Sequence, residues 1–180
     1  MKNSFGRGAL TLAAATIAFA GAAAMAVPAQ AQEILGPDAA ACRAGTPGPA
    51  ALVRIYGFKD RGGTLRVQLY GNNPDDFLAK GKKLKRIDLP VTASGDMNVC
   101  VDLPSYGQYA IAVRHDRNGD RKSGWSDGGG FSGNPKISLT NLKPDFEDAS
   151  FAARQGVTVV DVIMNYRSGL SIKPVVARRD

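Results

Sequence analysis

The chain has 180 residues, 44% hydrophobic and 22% charged, with 23 Lys plus Arg against 16 Asp plus Glu. That length fits one domain with a real core rather than several. The modest basic excess suits an anionic envelope polymer or a lipid headgroup, not nucleic acid, because the only dense basic run, KGKKLKR at 80–86, has no aromatic residue interleaved and reads as a solvated strand end.

Residues 1–31 read as a signal peptide. Lys2 and Arg7 form a basic n-region, GALTLAAATIAFAGAAAMAV an apolar stretch, and Ala29-Gln30-Ala31 an A-x-A cleavage site. The apolar run is long enough to span a membrane, but its Ala- and Gly-rich composition and its cleavage site favour removal. The mature chain would then carry no transmembrane span, and would be periplasmic or secreted. Residues 32–50, rich in Ala, Gly and Pro, read as an irregular lead-in.

From residue 51 the apolar residues recur at every second position, the period of a half-buried strand. Val53 and Ile55 lead, followed by Leu65, Val67 and Leu69, then Ile87, Leu89 and Val91, then Met97, Val99, Val101 and Leu103. Tyr109, Ile111 and Val113 continue the series. Phe151 with Ala153 and the denser run VTVVDVIMNY at 157–166 close it. Turn signals at 60–63, 72–74, 94–96 and 104–107 separate the runs. The expectation is an all-β fold, a single antiparallel β-sandwich of about seven strands over 51–166, with a tail at 167–180. PDDFLAKG at 74–81 could make one or two helical turns capped by Asp75 or Asp76.

Cys42 and Cys100 are the only cysteines. In an exported chain they suggest a disulfide, which would contribute about 4 kcal/mol in the chain-entropy model. Cys100 has the opposite parity to Met97, Val99, Val101 and Leu103. The bridge should therefore clamp the N-terminal segment over the outside of a sheet.

DLPSYGQYAIAV at 102–113 describes a strand that ends in Leu-Pro, turns through Gly107 and restarts with an inward Tyr109. It resembles the corner of transthyretin-like and carboxypeptidase-regulatory-like sandwiches, which suggests an immunoglobulin-like or prealbumin-like arrangement. The corner, the RHDRNGD after it, GFSGNP at 130–135 and PDFEDASF at 144–151 together resemble the bacterial domain-of-unknown-function family 2141. The resemblance covers roughly residues 51–166. It implies an exported all-β domain and carries no activity. The Cys42 lead-in, the tail after Tyr166 and Asp120, where asparagine is usual, depart from the pattern.

HDRNGDRKSGWSDGGG at 115–130 holds the only histidine and the only tryptophan. GWSDG fits G-x-S-x-G with Ser126 as nucleophile, but no helix follows and His115 precedes it. GGGFSG fits G-x-G-x-x-G without the βαβ unit that a dinucleotide needs. Counted from Asp116, oxygens fall at positions 1, 3, 5 and 12, namely Asp116, Asn118, Asp120 and Asp127, with the backbone carbonyl of Lys122 at position 7. This is the spacing of a calcium loop, and the expected affinity is weak. Arg121 stands at position 6, where such loops use glycine. The alternative is a turn braced by its own Asp and Asn side chains. In either case Asp116, Asn118 and Asp120 should point inward around one point, with a cation, Arg117 or Arg121 among them.

His115 shares parity with the core and reads as a hydrogen-bonded structural residue, with ligand binding the lesser reading. Trp125 would be a lid over the open end or a ligand platform. Glu147 and Asp148, as neighbours on a strand, would face opposite ways. The lead reading is a non-catalytic binding or accessory module of the envelope. The rivals are a metal-assisted or His115-dependent hydrolase and a calcium-stabilised structural domain. A hydrolase would require His115, Asp116, Ser126 and Glu147 to converge on one pocket.

Overall fold

The computed structural model describes Met1 and residues 33–175. The signal-peptide reading of 1–31 falls, Met1 apart, outside the described residues. The remainder is all-β. Its strands are β1 (Ile34–Leu35), β2 (Ala50–Tyr56), β3 (Thr64–Tyr70), β4 (Lys85–Pro90), β5 (Met97–Asp102), β6 (Gly107–Asp116), β7 (Gly128–Phe131), β8 (Ser150–Ala153), β9 (Val157–Ile163), β10 (Asn165–Ser168) and β11 (Ser171–Pro174). One helical turn, α1 (Phe146–Ala149), precedes β8.

The strands make two sheets. The four-stranded sheet has the order β1-β5-β2-β9, and the seven-stranded sheet β11-β10-β7-β6-β3-β4 with β8 also on β6. The period-two residues of both supply one core. Val53, Ile55, Val99 and Val162 come from the first sheet; Leu65, Val67, Ile111 and Val113 come from the second.

The pairing departs from a wholly antiparallel expectation. β1 runs parallel to β5, and β2 parallel to β9 over seven residue pairs. A parallel neighbour needs a long crossover, and the chain between β2 and β9 is that crossover, most of it lying in the other sheet. The described strands also outnumber the expected seven. The run at 157–166 divides into β9 and β10, which belong to different sheets. Buried Met164 marks the transfer, its N–H donating to the Tyr56 carbonyl at 2.9 Å. Val160, Val162, Met164 and Tyr166 all stay buried across it, so the sequence pattern shows no break. β11, within the segment read as a tail, pairs with β10 through a two-residue connection.

Cys42 and Cys100 stand at disulfide distance, their Cα atoms 5.9 Å apart. With Ala50 they form a small cluster separate from the main core, packed by Ile34, Ala41, Leu52 and Val157. The register argument therefore places Cys100 correctly, under the lead-in and outside the main core. That lead-in is less irregular than its composition suggests, since it contains β1 and a 3-10 turn at Ala39–Cys42. At Pro74–Asp76 the helical turn is a short 3-10 segment capped by Asn73, not by Asp75 or Asp76. The Asn73 carboxamide oxygen accepts the Asp75 N–H at 3.2 Å. At the corner, the Tyr109 hydroxyl donates to the Ser105 carbonyl at 3.0 Å.

Candidate functional site

β6 ends in the core at His115, which is 0% exposed. Its Nε2 lies 2.7 Å from the Gly62 carbonyl, and its Nδ1 2.7 Å from the Tyr166 hydroxyl. A carbonyl only accepts, so Nε2 carries the proton and Nδ1 accepts from the phenol. The Tyr166 oxygen in turn accepts from the Lys59 amide, and burial pushes its pKa up to about 12. Phe58 and Tyr166 meet the imidazole edge to face. Both ring nitrogens are thus committed to the scaffold. Beside them Arg117 pairs with Asp60, and that guanidinium, outweighing burial, holds the Asp60 carboxyl below the ordinary range.

The acidic loop that follows braces itself. Asp116, 1% exposed, accepts the Arg121 N–H at 2.8 Å and lies 3.3 Å from the Arg114 guanidinium. Asn118 donates to Asp120 at 2.9 Å, and Asp120 accepts the Lys122 N–H at 2.7 Å. That amide bond and the Asn118 contact lower the Asp120 pKa. Asp127 accepts the N–H groups of Gly124 and Arg117 at 2.9 and 3.3 Å. The three side chains do not gather on one point. Asn118 and Asp120 meet each other in the exposed loop, and Asp116 turns inward alone. Its cationic neighbour is Arg114, not Arg117 or Arg121. Among the described residues no three His, Cys, Asp or Glu side chains form a group able to hold a metal ion. Asp116 Oδ1 and Arg114 Nε are buried without a hydrogen-bond partner.

The glycine run is a strand. The Tyr166 ring occupies the space that a side chain on Gly128 would need, and a Cβ on Gly130 would stand 2.7 Å from the Ile163 carbonyl. Glycine is used here for close approach of backbone and ring. Trp125, within the acidic loop shortly before β7, is not a lid: it is 72% exposed. The Arg167 guanidinium stacks on it, 3.8 Å from the ring centroid. The pair borders a cavity of about 160 Å³ lined also by Phe131, Ile137, Leu139 and Leu142. None of His115, Asp116, Ser126 and Glu147 lines this cavity or the others described. Glu147 and Asp148 both lie on α1, exposed, and do not alternate on a strand.

The family described as an uncharacterized protein conserved in bacteria (DUF2141) matches residues 53–161. The chain belongs to this family. No curated protein and no solved structure matches it. The family match runs from β2 into β9 and takes in Trp125, but stops short of Arg167, the β10–β11 hairpin and Cys42. Its GFSGNP segment is scaffolding. The Ser132 hydroxyl accepts the Ile111 N–H at 2.8 Å and donates to the Ala149 carbonyl, joining β6 to α1. Asn134 accepts the Ile163 N–H at 2.7 Å and donates to the Asp161 carbonyl at 3.0 Å. It thereby blunts the free edge of β9. Sequence reading missed Arg167 as the partner of Trp125. The two are far apart in sequence, and nothing local to a short basic-polar strand marks it.

Proposed function

We propose that the chain is an exported, non-catalytic β-sandwich module that binds material of the bacterial envelope through the surface around Trp125 and Arg167. The observation that carries this reading is the exposed indole, stacked by a cation at the mouth of an apolar cavity. A large aromatic held open to solvent with a polar partner is the usual composition of a binding surface. The engagement of both His115 nitrogens by structural partners supports a module without acid–base chemistry. The Cys42–Cys100 bridge supports an oxidising compartment.

The test is a binding panel of envelope glycans and lipids against the purified mature chain. The reading expects at least one class to bind, and Trp125→Ala and Arg167→Ala to weaken it while Ser126→Ala leaves it intact. Equal binding by Trp125→Ala and the unaltered chain would remove the surface from consideration.

A further inference from the structure

Few large apolar side chains of the described residues are exposed, and several of them sit at one edge. Leu170, 88% exposed, occupies the turn between β10 and β11. Arg167 ties this turn to Trp125: its Nε donates to the Gly169 carbonyl at 2.9 Å while its guanidinium covers the indole. Exposed Leu142 lines the same cavity as Trp125. A second hollow of about 340 Å³, holding Ile163, Pro174 and Lys136, continues the first through shared Ile137, Asn165 and Ile172.

Cations surround these groups. In the β10–β11 register Arg167 stands opposite Ile172 and Tyr166 opposite Lys173. Arg167 and Lys173 therefore flank Leu170 on the two faces of one hairpin. Lys59 and Lys173 share a third hollow. Among the described residues none of Lys59, Lys136, Arg167 and Lys173 has a carboxylate partner. The one carboxylate in these hollows, Asp127, is held by backbone amides.

We infer that this edge docks on the surface of an anionic phospholipid bilayer, with Leu170 and Trp125 entering the interface and Arg167, Lys173, Lys136 and Lys59 meeting headgroup phosphates. This deepens the reading of the Trp125–Arg167 surface and rests on it. Charge complementarity asks for an anion. Protruding leucines ask for an apolar phase behind that anion, which a bilayer supplies and a soluble acidic polymer does not. Tryptophan beside arginine is at home at the boundary between the two. Each basic group near such a surface is worth about fivefold in binding.

The chain's only tryptophan makes the test direct. The mature chain is mixed with phosphatidylglycerol-containing vesicles, with phosphatidylcholine vesicles and with dextran sulfate, and sedimentation and Trp125 emission are followed. The inference expects binding to the anionic vesicles with a blue shift, quenching by brominated acyl chains, and little binding to neutral vesicles. Leu170→Ser should weaken the vesicle complex about tenfold, and Arg167→Gln about fivefold; Leu170 is exposed and Arg167 half-buried, and an unchanged melting temperature shows that each variant folds. Binding to dextran sulfate that Arg167→Gln weakens, with no blue shift on vesicles, overturns the bilayer and leaves the binding surface standing. Equal binding to neutral and anionic vesicles overturns the headgroup contact. Failure with all three probes overturns the bilayer, and failure across the wider envelope panel overturns the surface itself.

Discussion

The ring of Tyr166 fills the place of a Gly128 side chain. That relation explains the glycine at 128: the start of β7 must lie flat beneath a tyrosine that also holds His115. Gly128→Ala should therefore destabilise the fold by about 1–3 kcal/mol, the cost of overpacking a closed core. The check is the urea midpoint, and an unchanged midpoint would show that Tyr166 can swing aside. Gly129, whose Cβ would meet only the Val113 carbonyl at 3.9 Å, should accept alanine far more easily.

Non-reducing peptide mapping of the purified protein should recover Cys42 and Cys100 in one linked pair. Their sequence separation of 58 implies a loss of about 4 kcal/mol when both become alanine. Recovery as two free thiols would contradict the bridge.

The parity of strand residues was enough to place most of the core and the outer face on which Cys100 lies, because side-chain period is a local property. The corner was equally legible, since Tyr109 and its acceptor Ser105 are four residues apart. What could not be read were relations between distant segments. Val162, Met164 and Tyr166 keep one parity while the chain changes sheet. Parallel pairing of β2 with β9 leaves no mark in either strand. At the site, the acids of the loop were readable and their partners were not: backbone amides and Arg114 take the contacts that a calcium spacing suggests for an ion. Trp125 was visible as a candidate platform, whereas its stacking partner Arg167 lies on a strand distant in sequence.

Alkaline pH should destabilise the protein in a defined window. Burial raises the Tyr166 pKa to about 12, above about 10 for an unfolded tyrosine. The folded state therefore holds the proton more tightly. This contribution is fully present below pH 10 and is lost as pH rises toward 12. Burial raises Tyr70 in the same direction. Tyr166→Phe should shrink the alkaline loss, and should cost about 1–3 kcal/mol at neutral pH by leaving His115 Nδ1 without its donor. Denaturation midpoints at pH 8 and 11 check both statements. A variant as stable as the parent at pH 8 would contradict the hydrogen-bond assignment.

Arg121 adopts φ 65°, a left-handed conformation that glycine takes without a Cβ penalty. Arg121→Gly should raise stability by about 1 kcal/mol, read as an upward shift of the melting temperature. Added millimolar calcium distinguishes two states of the loop. Bracing by amides leaves the melting temperature in place. An ion drawn to the unpartnered Asp116 Oδ1 raises it, and Asp116→Asn then abolishes the rise.

The account turns on Trp125 and Arg167 forming the working surface while His115 and the acidic loop hold the scaffold. The most direct measurement compares Trp125→Ala with Ser126→Ala, neighbouring exposed positions, for binding to phosphatidylglycerol-containing vesicles and to dextran sulfate. The account predicts that Trp125→Ala weakens binding about tenfold and that Ser126→Ala binds as the parent does. Intact binding by Trp125→Ala together with loss in Ser126→Ala would contradict it and move the site off the indole.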